Sequence, residues 1–368
     1  MKVSYALSAF AGLSSSVSAY QSFAGSNLYY AAGLSTDEQK TLFTGLQEAD
    51  VQVLRVWLDG ETSPQKGTKF TSYPSLEGQN PEKYDDTVLN NLDGFMANAH
   101  DYGIKLIVSF YSYNALRPDE NGNHQDFYGT YYGTGYFYSD PQAITYYKNR
   151  IAHVMSHVNP NNGKTWAESS EYIFAFETQN EADHDDKNTD ALIAWQCEIA
   201  GAIKSNLNGS TDILTTTGGS SYVGDSVRDA YFSCDALDMI AIHAYDTNND
   251  LTTGNLAKYV TNAVKNNKKL IMQEWGICYY NTDNKNCFKG DKQDSGTRDS
   301  LIKTYYDNIA QAGLPAMYWE IVPNAVPHGG DYDFEIGIGQ ENWEAYKEAV
   351  QAALSVPSQF DFSKWLPK

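Results

Sequence analysis

Two glutamates close short apolar runs, where an ionised side chain is costly to bury without a partner. Glu181 ends FETQNE and Glu274 ends IMQE. Comparable places are held by Arg55 within VQVLRVWLD, Asn180 beside Glu181, His243 and Tyr245 in AIHAYD, and Trp319 in MYWE. One carboxyl kept protonated beside another kept ionised can protonate a leaving oxygen while attacking an anomeric carbon, and a separation of ~5–5.5 Å belongs to cleavage with retention. One of Glu181 and Glu274 then acts as acid/base and the other as nucleophile. A buried Arg55 favours the ionised nucleophile, and the Tyr245 hydroxyl donates to it. Asn180 is placed for a sugar 2-hydroxyl, and Trp319 for stacking under the sugar.

Other candidates have equally good packing alternatives. Trp57, Tyr111, Tyr113 and Trp275 end strands and are candidate cleft residues; FYGTYYG at 127–133 is a candidate set of aromatic subsites. Glu177, four residues before Glu181, reads as buried and structural, and Arg55 has an ion-pair role with Glu177 or Glu274 as its alternative. His124, His184 and His328 lie in polar loops and read as solvated, as does the run Asp183–Asp186. No metal or cofactor is assigned.

These residues need a frame that gathers strand ends. Apolar, β-branched or aromatic runs predict strands at Ser22–Tyr29, Val51–Leu58, Ile104–Tyr111, Tyr172–Thr178, Asp212–Thr217, Met239–His243, Leu270–Gln273 and Ala316–Trp319. Helical patterns fall at Thr36–Ala49 (with Ser35 as N-cap), Asp86–Tyr102, Pro141–Val158, Asp190–Leu207, Leu256–Asn266, Thr297–Ala312 and Trp343–Leu354. Gly103 and Gly313 end two of them. The alternation predicts an α/β fold, a closed (β/α)8 TIM barrel. A doubly wound sheet would need a Gly-rich phosphate turn after its first strand, which is absent. Polar insertions at 59–85 and 112–140 both follow strands, on the face where barrel sites form.

The chain has 368 residues and a net charge of −20, which disfavours nucleic acid and anionic membranes as partners. A neutral β-linked polysaccharide or oligosaccharide suits that field, and 28 Tyr with 7 Trp suit sugar faces. A monomer is expected. Residues 1–19 read as a signal peptide, with Lys2, an apolar stretch Val3–Leu13 and a Val17-Ser18-Ala19 cleavage site, leaving 20–368 as one catalytic domain. Four cysteines allow three pairings. The polar segment between Cys278 and Cys287 favours that bridge, leaving Cys197 with Cys234. Asn208-Gly209-Ser210 is a glycosylation sequon. Export to the extracellular space follows.

Taken together, Arg55, Asn180-Glu181, His243-x-Tyr245, Glu274 and Trp319 resemble the pattern of glycoside hydrolase family 5, clan A, in order and strand position across the mature chain. The resemblance implies retaining hydrolysis of β-linked glycans, with Glu181 as acid/base protonating the leaving oxygen and Glu274 as nucleophile forming a glycosyl ester. SFAGSNLYY and LRVWLD are similar to the first strands of secreted endo-β-1,4-mannanases, so endo cleavage of β-1,4-mannan is the leading expectation. The chain departs from that pattern at Ala182-Asp183, where Pro-Arg is usual, and at Trp275, where Phe is common. A β-glucanase, an exo-acting enzyme whose insertions wall off the cleft, and a non-catalytic carbohydrate-binding barrel are the alternatives.

Overall fold

The computed structural model describes residues 20–119, 121–183, 189–329 and 332–368. The expected leader, His184, and Asp185 and Asp186 lie outside them. Eight parallel strands close into a barrel. In chain order they are β1 Ala24–Asn27, β2 Val51–Trp57, β3 Lys105–Ser109, β4 Ile173–Asn180, β5 Leu214–Gly218, β6 Met239–His243, β7 Lys269–Glu274 and β8 Ala316–Tyr318. Each pairs with its sequence neighbours, and β1 pairs with β8.

Around the barrel run α1 Thr36–Glu48, α2 Thr87–Asp101, α3 Pro141–Ser156, α4 Thr189–Asn206, α5 Thr253–Lys265, α6 Ser295–Gln311 and α7 Trp343–Leu354. Ser35 and Glu38 form a reciprocal capping box at the start of α1. Gly103 (φ +71°) and Gly313 (φ +87°) turn the chain into β3 and toward β8 in a conformation costly for other residues. The alternation is incomplete in one place. Between β5 and β6 stand only two single helical turns, Val223–Ser226 and Asp229–Phe232. The Cys197–Cys234 disulfide ties that segment back to α4. At the foot of the barrel Phe362 packs edge-on against Phe23 and also contacts Phe174.

Two irregularities in register prepare the mouth. Between Glu177 and Asn180 the β4–β5 pairing slips, and between Ile242 and His243 the β6–β7 pairing slips. Such slips re-aim side chains at strand ends. They coincide with the positions of Asn180, Glu181 and His243. A Cβ on Gly218 would stand 1.8 Å from the Gln179 carbonyl oxygen, so only glycine lets β5 approach here.

Candidate active site

Arg55 is fully buried and forms the hub of the barrel mouth. Its Nε donates to Glu177 Oε2 at 2.6 Å, and its Nη2 to Glu177 Oε1 at 2.8 Å and Asn180 Oδ1 at 2.6 Å. Nη1 donates to Asn27 Oδ1 at 3.2 Å and to Glu274 Oε1. Burial works against its charge, but Glu177 and Glu274 more than offset that and hold it protonated. The Tyr245 hydroxyl donates to the other oxygen of Glu274 at 3.0 Å. Asn180 donates its Nδ2 to Ser112 Oγ at 3.1 Å, which fixes its amide plane.

Glu181 follows β4 in a left-handed conformation, φ +48°, and its carboxyl is partly exposed in the mouth. A residue with a Cβ pays for that geometry, and such strain collects at functional sites. Oxygens of Glu181 and Glu274 and Nδ1 of His243 all lie within 4.8 Å of one another. That donor trio is also spaced like a metal site. Arg55 already occupies one oxygen of Glu274 and would repel a second cation.

The hydrogen-bond network locates a proton. Gln273 Nε2 donates to Glu177 Oε2 at 2.8 Å, so its Oε1 faces His243 Nε2 at 2.9 Å. His243 must therefore present Nε2–H to it. Its Nδ1 then looks at Glu181 Oε1 (3.1 Å) and Glu274 Oε2 (3.3 Å), three acceptors that need a proton among them. Burial lowers the His243 pKa, but Glu274 and Glu181 raise it above the ordinary imidazole value. Burial raises Glu181, yet the hydrogen bond and charge of His243 bring it below the ordinary carboxyl value. Burial leaves Glu274 above that value despite His243 and Arg55. The directions for His243 and Glu181 favour a proton at His243 Nδ1, one hydrogen bond away from Glu181.

A cavity of about 580 Å³ opens over these groups, within the range of small-molecule sites. Trp319 and Trp57 line it with Tyr29, whose ring lies parallel to Trp319 within 5°. Trp275 and Tyr111 do not line it. The period-two alternation that turns Glu274 inward turns Trp275 outward, edge-on between Tyr306 and Tyr318. Tyr111 is buried with its hydroxyl on Asp126, its ring stacked on Phe137, edge-on to Tyr128 and beneath Arg150. Tyr113 is buried too, its ring against Arg117. The 127–133 segment supplies Phe127 and Tyr128 to the core, and none of its residues lines the cavity. His328 is not simply solvated: it stacks on Tyr279 and bonds Asp333 at 2.8 Å. His124 is partly buried, its Nδ1 shielded from solvent. Asp183 is exposed.

Asn27, Ser112 and Gln273 were missed, although Asn27 and Gln273 end apolar strands as the predicted residues do. Both cysteine pairs form as favoured, Cys197–Cys234 and Cys278–Cys287. Asn208 stands in an exposed turn. No helix among the described residues is long and apolar enough to cross a membrane.

Residues 13–312 match the family model described as GH family 5 beta-mannosidase-like. Mannan endo-1,4-beta-mannosidase 5 of Solanum lycopersicum is 25% identical over 306 residues, 70% of this chain and 68% of that protein. The endo-1,4-beta-mannanase structure from Rhizomucor miehei superposes with a TM-score of 0.67 at 19% identity, covering 92% of this chain and 98% of that one. A family 5 mannosidase structure from the same organism gives 0.67 at 16%, covering 92% and 94%. At those identities the two structures speak to the barrel alone.

Proposed function

The chain belongs to glycoside hydrolase family 5, in its β-mannosidase-like group, and on that premise we propose that it hydrolyses β-1,4-linked mannosides with retention of anomeric configuration, outside the cell. The observation that carries retention is the short span between Glu181 and Glu274. Inverting enzymes leave room for a water between carboxyls ~6.5–9.5 Å apart. Glu274 has the nucleophile's surroundings, with Arg55 on one oxygen and Tyr245 on the other. Glu181 sits at the open side, next to the proton on His243.

Glu274 attacks the anomeric carbon as the bond to the leaving oxygen breaks. Glu181 delivers to that oxygen the proton it draws from His243, so a glycosyl ester and a free alcohol result. Water then attacks the anomeric carbon of the ester, giving its proton to Glu181 as the bond to Glu274 breaks and the carboxylate leaves. The proton returns to the pair it came from. Mannan is the substrate class because the family match is mannosidase-like and the tomato relative is a mannan hydrolase. The two disulfides fit an oxidising compartment, and the residue 1–19 leader and the Asn208 glycan belong to the same proposal.

The test is proton NMR of an aryl β-mannoside during turnover, beside a panel of mannan, galactomannan, cellulose and β-1,3-glucan. The β-anomer of mannose appears first on this reading; first-formed α-anomer rejects retention. Turnover of glucans in preference to mannan rejects the sugar.

A further inference from the structure

The expectation of internal cleavage meets a wall. In an eight-strand ring β4 and β8 stand opposite each other. Glu181, after β4, protonates the leaving group, so the leaving sugars extend on its side. The sugar that is attacked, and anything beyond it, points toward the segments that follow β1, β2 and β8.

Those segments are fastened together. The Lys66 Nζ, on the segment after β2, donates to the Tyr332 carbonyl at 2.8 Å and pairs with Glu335 at 2.6 Å, both on the segment after β8. Asn324 accepts from Thr68 Oγ1 and donates to the Lys66 carbonyl at 3.0 Å. Thr68, itself 1% exposed, is also bonded to Tyr30 at 2.9 Å. A Cβ on Gly67, at φ +71°, would lie 2.5 Å from Cδ of Pro327, so the two loops touch at backbone distance. The wall stands close to the chemistry. Tyr29 lies parallel to Trp319 with ring centres 5.8 Å apart, and its hydroxyl donates to Gln65 at 2.7 Å. One ring thus separates the sugar-stacking tryptophan from the wall. On its cavity face the wall presents Glu61, Gln65 and Lys66, hydrogen-bonding groups suited to the hydroxyls of a terminal sugar. At the Glu181 end the lining residue Tyr222 is solvent-exposed.

Resting on the reading of this site as a β-mannoside hydrolase, we propose that the enzyme is exo-acting, removing single mannosyl units from non-reducing chain ends, with the wall built on Lys66, Thr68, Asn324 and Glu335 as its specificity device. A polymer can enter only end first, and a second glycone sugar has no place.

The experiment uses the full-length enzyme on β-1,4-mannohexaose reduced at its reducing end, with products sized by mass spectrometry at low conversion. Mannose and the reduced pentamer are expected as the first products. Early mannobiose or mannotriose overturns exo action while leaving mannoside hydrolysis intact. Inactivity on mannosides with turnover of another β-linked glycan overturns the substrate reading instead, and the first product from that glycan then decides the mode of attack. Inactivity on every glycan overturns both. The Lys66→Ala/Asn324→Ala variant removes two of the fastenings and is expected to shift first products from mannose toward mannobiose. An unchanged product pattern in a folded variant rejects those two residues as the device.

Discussion

His243 holds its Nδ1 3.1 Å from Oε1 of Glu181, and this contact decides where the site keeps its spare proton. Because Nε2–H is committed to Gln273, protonation at Nδ1 makes His243 a cation between two carboxylates. The pH profile of kcat/KM reports such groups as coupled values of the free enzyme. Its acid limb, the ionisation of Glu274, is expected above the ordinary carboxyl range, and its alkaline limb, loss of the shared proton, above the ordinary imidazole value. His243→Asn removes a positive charge that restrains Glu274, so the acid limb moves to higher pH as kcat/KM falls. An acid limb that stays or moves down rejects the proton assignment.

The two carboxyl roles separate by azide rescue. Glu274→Ala has lost the nucleophile, so azide attacks the face it vacated and the product is the α-mannosyl azide. Glu181→Ala still forms the ester from a substrate with a good leaving group, and azide then gives the β-mannosyl azide. Without azide, loss of the acid is expected to cost ~10²–10⁴ in rate on poor leaving groups. NMR of the azide products checks both, and interchanged anomers exchange the roles.

Arg55 is as much structural as catalytic. Arg55→Met leaves Glu177 and Glu274 buried without their cation, and breaking such a pair from one side costs about 3–5 kcal/mol. Arg55→Lys is expected to recover little, since an ammonium has three donors on one atom where Asn27, Glu177, Asn180 and Glu274 are served by a planar fork. Thermal unfolding beside kcat measures this. A lysine variant with native Tm and activity removes the fork from the argument.

The residues legible in the sequence share one property: they end barrel strands, and a closed parallel barrel brings those ends together whatever lies between them. Glu181, Glu274, Arg55, His243, Tyr245 and Trp319 converge for that reason. Trp275 misled because it follows Glu274 directly, and adjacent strand residues face opposite ways. Tyr111 lies two residues beyond the last strand residue, Ser109, where an insertion folds over it and the parity rule no longer applies. The insertion that builds the wall is legible at 59–85, but the contacts that close it are not. Lys66 meets Tyr332 across 266 residues, and neither loop has a period or a motif from which that pairing can be read.

Stability should fall as pH rises through neutrality. Burial is the largest cause in raising Asp59 to about 6, Asp126 to about 7, Glu335 to about 7 and Glu61 to about 8. Each folded-state pKa lies above its unfolded value, so the folded chain binds more protons. Their contribution is complete below the ordinary carboxyl range, falls as pH rises from there, and is gone once pH has passed the folded values of about 6 to 8. Calorimetry is expected to show a higher Tm at pH 5 than at pH 8; a Tm that rises over that interval contradicts the burial of these acids as neutral groups.

The Cys278–Cys287 loop reaches the chemistry through one side chain. Asn284 accepts from the Cys278 N–H at 2.8 Å, and its Nδ2 donates to the Tyr245 carbonyl at 2.8 Å and the Gly276 carbonyl at 3.0 Å. It thereby fixes the backbone of the residue whose hydroxyl holds Glu274. A hydrogen bond to a charged group contributes ~1.5–3 kcal/mol, so Tyr245→Phe is expected to lower kcat by ~10–100-fold. Asn284→Ala acts only by loosening Tyr245 and must cost less. In the Tyr245→Phe background it should cost almost nothing, because the hydroxyl it positions is gone. A double-mutant cycle on kcat decides the matter. Equal losses from Asn284→Ala in both backgrounds would show that the loop acts on the site by some route other than Tyr245.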